Sequence, residues 1–224
     1  MNGGEGDDFL WGRYFSTGFE KLYGGNGDDV IYGSYKAVQN SNTSTLAGQG
    51  GRDVIRTDIY KDNIAENNRR QFIVFGDWGY GEDGSYEGVQ YGDPRLEKKL
   101  QGDADTIIFG DSPNTFWSGQ TFYAGDGDDV ITMGNEYRNS LGYAGRGNDI
   151  INLPGSFDDF TSTVKVYGGL GDDQLLAPAA GDGGDTVILD GGAGNDKIEG
   201  IALVTNEQFL YGGAGDDKII AADG

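Results

Sequence analysis

Nine aspartates recur along the chain at a nearly constant interval, and each is followed two residues later by an aliphatic side chain. They are Asp8, Asp29, Asp53, Asp105, Asp129, Asp149, Asp173, Asp196 and Asp217, at steps of 21, 24, 52, 24, 20, 24, 23 and 21 residues. The aliphatics are Leu10, Ile31, Ile55, Ile107, Ile131, Ile151, Leu175, Ile198 and Ile219. Most of these aspartates close a glycine turn. Gly24-Gly25-Asn26-Gly27-Asp28-Asp29-Val30-Ile31 is the pattern, repeated at Gly3 to Leu10, Ala124 to Ile131, Ala144 to Ile151, Gly168 to Leu175, Gly191 to Ile198 and Gly212 to Ile219. A looser copy runs Gly48 to Ile55. Such a turn can cradle a hard cation: glycine accepts positive φ, which points successive carbonyl oxygens inward, and the Asp adds charge. Calcium takes about six to eight oxygens, more than one turn supplies, so a complete site needs two stacked turns.

The rest of the composition removes other chemistry. Among 224 residues there is no His and no Cys, which excludes disulfides, thiolate or imidazole zinc sites, and nucleophiles that depend on Cys or His. The acidic side chains are 28 Asp and only 9 Glu, a bias towards turns rather than helices. Carboxylate pairs could serve glycoside hydrolysis, but their periodic placement accounts for them without catalysis, and no enzyme is expected. A formal charge of −21 repels nucleic acid and anionic lipid and favours cations as partners. With no targeting segment and no apolar run near the roughly 18–20 residues of a membrane span, neither nucleic-acid binding nor membrane insertion is expected.

The elements that must position the turns are short strands. One contains the aliphatic after each Asp. A second ends just before each glycine turn, as in Lys21-Leu22-Tyr23, Ile73-Val74-Phe75, Thr121-Phe122-Tyr123, Lys165-Val166-Tyr167 and Phe209-Leu210-Tyr211. Alternation over a few residues between glycines is a strand signal, and helical periodicity is absent. One unit cannot bury its apolar side chain alone, but stacked units form two facing parallel sheets. The expected fold is all-β, a parallel β-roll or β-solenoid of about ten coils forming a single unit over residues 1–224. The step of 52 residues reads as two coils, one of which has lost its Asp at Gly76-Asp77-Trp78-Gly79-Tyr80-Gly81. This gives a degenerate coil at about 76–99, followed by a shortened turn at Gly102 to Asp105, with an inserted loop at about 57–72. Tyr23, Phe75, Tyr123, Tyr143, Tyr167 and Tyr211 should form an outward aromatic ladder that stiffens the sheet. Asp28, Asp128, Asp172 and Asp216, one residue before the recurring Asp, read as outward and solubilising.

Gly24 to Ile31, Gly191 to Ile198 and Gly212 to Ile219 resemble the nonapeptide of the repeats-in-toxin (RTX) family, whose calcium-binding turns belong to a parallel β-roll. The resemblance implies calcium between successive turns, held by the sixth-position Asp of each and by backbone carbonyls of the first four positions. Carried over, the metal residues are the nine recurring aspartates with Gly4, Gly6, Gly25, Gly27, Gly125, Gly127, Gly145, Gly147, Gly169, Gly171, Gly192, Gly194, Gly213 and Gly215. About seven calcium ions are implied, between Asp8 and Asp29, Asp29 and Asp53, Asp105 and Asp129, Asp129 and Asp149, Asp149 and Asp173, Asp173 and Asp196, and Asp196 and Asp217. The family repeats every nine residues, whereas here the motif returns every 20–24, so only one edge should carry a full column. On the other edge a lone turn, Ala180 to Val187, makes Asp185 a half site. Near the gap stand Arg52, Arg56, Lys61, Arg69, Arg70, Arg95, Lys98 and Lys99, expected to neutralise carboxylates where a cation is missing.

These readings converge on a calcium-binding structural module of a secreted or cell-surface protein, which folds and stiffens on meeting extracellular calcium. Its first motif starts near the beginning of the chain and its last aliphatic stands near the end, so both terminal coils should present open sheet edges, where copies could stack into a filament. The alternative is an accessory or carbohydrate-binding repeat module of a secreted enzyme of the epimerase, protease or lipase type, with a polysaccharide as partner and Trp11, Trp78 and Trp117 as candidate sugar contacts. Asn42-Thr43-Ser44 matches a glycosylation sequon.

Overall fold

The structure is a computed structural model that describes residues 1–12, 15–16, 20–33, 36–37, 42–57, 70–77, 103–109, 119–134, 139–153, 163–177, 186–200 and 207–221. Its strands build two parallel sheets of nine strands each, with every coil giving one strand to each sheet. The first sheet runs Asn2–Glu5, Lys21–Asn26, Asn42–Gly50, Arg70–Phe75, Thr121–Asp126, Leu141–Arg146, Thr163–Leu170, Thr186–Ala193 and Glu207–Ala214. The second runs Phe9–Trp11, Val30–Tyr32, Val54–Arg56, Thr106–Ile108, Val130–Thr132, Ile150–Asn152, Gln174–Leu176, Lys197–Glu199 and Lys218–Ile220. A separate parallel pair joins Phe15–Ser16 to Lys36–Ala37. The fold is thus an all-β parallel solenoid.

Register fixes the coil count. Ile55 pairs with Ile107 and Ile107 with Ile131, while Leu46 pairs with Val74 and Phe122 with Val74. The strands on either side of the 52-residue step are therefore direct neighbours in both sheets, and among the described residues no tenth coil stands between them. The extra length is accommodated as insertion within one coil, whose turn is interrupted after Asp77 and resumes at Asp103. Spacing alone could not separate these cases, because 52 residues is also close to twice the repeat. Residues 78–102 lie outside the described residues.

The aliphatic column explains the stacking. Ile31, Ile55, Ile131, Ile151, Leu175 and Ile198 are completely buried, and Leu10 and Ile107 nearly so. They meet Leu22, Leu46, Val74, Phe122, Val166, Val187 and Leu189 of the first sheet in one core cluster. Each buried branched side chain contributes about 1.5–3 kcal/mol. The space between the sheets is narrow enough that Gly142 has no alternative: a Cβ there would overlap the Phe122 ring. On the last strand of the second sheet the column opens to solvent, with Ile219 45% exposed.

Candidate metal centre

The nine recurring aspartates stack along one edge, and a single hydrogen-bond pattern holds them. The backbone N–H of Asp8 donates to Oδ1 of Asp29 at 2.8 Å, and that of Asp29 to Oδ1 of Asp53 at 2.8 Å. Asp53 donates to Asp105 and Asp105 to Asp129, both at 2.7 Å. The series continues through Asp149, Asp173 and Asp196 at 2.8 Å per step and reaches Asp217 at 3.0 Å. In every aspartate of the column from Asp29 to Asp217, Oδ1 is thereby fixed by a neighbouring coil. Oδ2 of Asp8, Asp29, Asp53, Asp105, Asp129, Asp149, Asp173 and Asp196 is buried with no hydrogen-bond partner. A repeated orphan acceptor of this kind is costly unless a cation meets it.

The surroundings of these oxygens fit such a cation. The point one side-chain carbon out from Gly3 lies 2.5 Å from Asp8 Oδ2 and 2.5 Å from the carbonyl oxygen of Gly24 in the next coil. The same two kinds of oxygen converge beside Gly24 (from Asp29 and Gly48), beside Gly48 (from Asp53 and Gly76), beside Gly76 (from Asp105 and Ala124) and beside Gly168 (from Asp173 and Gly191). All fourteen glycines implied as ligands adopt positive φ, for example 124° at Gly25 and 133° at Gly27. At Gly27 a side chain is barred twice, since its Cβ would also lie 2.5 Å from the Gly6 carbonyl oxygen. In the looser third turn Gln49 carries the positive φ, 90°, without being glycine. No cluster of three or more carboxylates suited to a metal occurs among the described residues, so carbonyl oxygens must complete any site.

Burial raises the pKa values along the column. It pushes Asp53, Asp149 and Asp173 up to about 7, Asp129 to about 9 and Asp105 to about 10, with nearby carboxylates adding to the shift and the N–H bonds opposing it. Asp29 and Asp196 shift upward for the same reasons. Charge here is unfavourable without a counterion.

The interrupted coil places Asp53 directly beside Asp105, a step absent from the expected pairs. Asp77, which sequence reasoning assigned no role, is buried where regular coils have their second glycine. Its carboxylate accepts the N–H of Asp126 at 2.8 Å and that of Asp103 at 3.3 Å. An acidic side chain thus serves as acceptor where the turn backbone is interrupted. Burial also pushes Asp77 up to about 7.

The fifth-position aspartates do more than solubilise. Asp7 accepts the N–H of Asp28 at 3.0 Å, and Asp28 accepts that of Arg52 at 2.9 Å. Further along, Asp128 accepts from Asn148 at 2.7 Å, Asn148 from Asp172 at 2.8 Å, Asp172 from Asn195 at 2.7 Å and Asn195 from Asp216 at 2.9 Å. This ladder runs opposite to the first: here the later coil donates to the earlier side chain. The recurrence of Asn148 and Asn195 among aspartates was the available signal, since an amide oxygen accepts as a carboxylate does.

Of the basic residues near the gap, Arg52 pairs with Asp28 at 3.2 Å on the exposed surface, and Arg56 and Arg70 end or begin strands. Lys61, Arg69, Arg95, Lys98, Lys99, Asp185, Trp78 and Trp117 lie outside the described residues. The aromatic ladder is shorter than expected, because Ala47 separates Tyr23 from Phe75 and Asp190 separates Tyr167 from Tyr211. Between these breaks Phe75, Tyr123, Tyr143 and Tyr167 stack at 5.2, 5.3 and 4.9 Å with interplanar angles of 10° or less. Their faces cover one another, which suits stiffening better than sugar stacking, and Phe75, expected to point outward, is buried while the three tyrosines are half-buried. Trp11 is different: it sits 46% exposed, tilted against Phe9 and Tyr32. Ser44 of the sequon is fully buried.

Fold and column together define a class, a parallel β-solenoid with one edge of stacked glycine turns and aspartates. More particularly, the chain carries RTX calcium-binding nonapeptide repeats, matched in four copies at residues 1–13, 16–34, 120–135 and 209–224. The intervening coils lie outside those copies but repeat the same geometry. No curated protein and no solved structure matches the chain.

Proposed function

We propose that this calcium-binding repeat module works by calcium-coupled folding outside the cell, as part of a secreted or cell-surface protein. The carrying observation is the row of eight buried, unpartnered Oδ2 atoms, of which those of Asp8, Asp29, Asp53, Asp105 and Asp173 converge with a carbonyl oxygen of the next coil. On this reading the nine aspartates and the positive-φ glycines of their turns hold the metal between coils. Nine stacked aspartates make eight steps, one more than the sequence implies, because Asp53 and Asp105 are neighbours. Eight divalent ions would offset 16 of the 21 excess negative charges. Without them the buried carboxylates oppose a thin apolar core, and the chain loses its strands. Extracellular modules bind calcium at about 10⁻⁴–10⁻³ M, which keeps such a chain unfolded in a cytosol. Circular dichroism against free calcium tests this: strand signal should rise across that range, and full signal in chelator at neutral pH overturns it.

Two finer readings have separate support. The outermost strands of the first sheet, Asn2–Glu5 and Glu207–Ala214, pair on one side only among the described residues, with Phe209 and Tyr211 exposed, which suits docking of a second copy. Sedimentation at saturating calcium should then show association that chelator reverses. The exposed Phe9, Trp11 and Tyr32 cluster supports a polysaccharide contact, checked by loss of retention on an insoluble polysaccharide in Trp11→Ala.

A further inference from the structure

The fifth-position ladder is not continuous, and its gaps coincide with the interrupted coil. It runs from Asp7 through Asp28 to the N–H of Arg52, then resumes at Asp128 and continues to Asp216. The two residues between, Arg52 and Ala104, cannot extend it: a guanidinium only donates, and a methyl does neither. At the same coils Ala47 breaks the aromatic stack and the turn backbone is interrupted between Asp77 and Asp103. The two sheets, the apolar core and the Asp column continue across these coils, and the stack of Phe75 on Tyr123 and the bond from the Asp126 N–H to Asp77 cross one of the two interfaces, but the fifth-position ladder crosses neither.

Each fifth-position side chain lies one residue from a column aspartate and ties its coil to the next. It therefore sets the stacking of the two turns between which, on the calcium reading above, an ion is held. Asp172 shows the arrangement: it accepts the N–H of Asn195 while the adjacent Asp173 donates to Asp196, so one coil interface is closed by two bonds of opposite sense. We propose that the fifth-position Asp and Asn side chains are positioning residues for calcium, and that the coils of Arg52 and Ala104 divide the column into two segments that load and release metal separately. What such a position needs is an acceptor oxygen, not a negative charge. Asn148 and Asn195 already meet that need.

Calcium release from the full chain into a fluorescent chelator, followed by stopped flow, tests both parts. The wild type should release in two phases. Asp172→Ala should accelerate one phase about fivefold, the equivalent of one hydrogen bond, and Asp172→Asn should leave it within experimental error of wild type. Asp7→Ala should accelerate the other phase, and the double variant Arg52→Asn with Ala104→Asn, which supplies acceptors at both missing steps of the ladder, should bring the two phases together. If Asp172→Asn releases as fast as Asp172→Ala, charge rather than positioning is at work and the first part fails. If Asp7→Ala and Asp172→Ala each accelerate all of the release, the column is one unit and the second part fails. Should Asp172→Ala not fold at saturating calcium while Asp172→Asn does, the positioning role stands. Failure of the underlying calcium reading looks different: wild-type circular dichroism would not respond to calcium at all.

Discussion

The coils from Thr121 to Ile220 and the coil assembled from Arg70–Phe75 and Thr106–Ile108 do the same work with very different economy of chain. In the former, every turn is short, its second and fourth residues are glycines at positive φ, and fifth-position side chains link each coil to the next. In the latter the turn is interrupted between Asp77 and Asp103, yet Asp105 stands in the column with a hydrogen bond of 2.7 Å to each neighbour. The difference teaches that inter-coil register, and not turn length, is what the fold conserves. An insertion is tolerated where a carboxylate, that of Asp77, supplies the acceptor at the break.

The largest effect expected to sharpen this comparison is collective. In chelator, the column aspartates of the folded chain have pKa values raised from 3.8 to about 7 at Asp149 and Asp173, and to about 10 at Asp105 in the interrupted coil. Folded chain thus binds more protons than unfolded chain between those values, so the stability they contribute is complete below about 3.8 and is lost as pH rises through the folded values. Metal-free protein should therefore show more strand signal at mildly acidic pH than at alkaline pH. Amide exchange should place the first protection gained on acidification around Asp105, and saturating calcium should flatten the whole dependence.

Next in size is a steric break in the regular region. Gly147 has φ of 131°, and a Cβ there would overlap the Gly127 carbonyl oxygen. Gly147→Ala should cost about 3 kcal/mol or more, combining backbone strain with displaced stacking, and urea melts at fixed calcium would measure it. Asp77→Ala should cost about 1–3 kcal/mol by stranding two N–H groups, with faster exchange confined to the amides of Asp103 and Asp126. The smallest change is a gain. Gln49→Gly relieves a non-glycine φ of 90° in the loosest turn and should stabilise the chain by about 1 kcal/mol in the same melts.

Much of this was legible in the residues. The Asp marker, the aliphatic two places on and the strand before each turn are local and periodic, and the structure places them in register coil by coil. What stayed hidden depends on contacts between coils. Alternation says that Asp128 and Asp172 face outward but not that their oxygens reach the next backbone. A 52-residue step fits two coils or one with an insertion, and only the pairing of Ile55 with Ile107 decides. Ala47 and Asp190 interrupt the aromatic stack because strand neighbours are set by register rather than by the motif.

The opposed sense of the two side-chain ladders has one more consequence. A coil joining the Asn195 end offers its fifth-position N–H and its sixth-position carboxylate; one joining the Asp7 end offers its fifth-position carboxylate and its sixth-position N–H. Either newcomer brings one donor and one acceptor to match what the existing stack displays. A coil added at either end of the stack would therefore close its interface with the same pair of bonds, one given and one received.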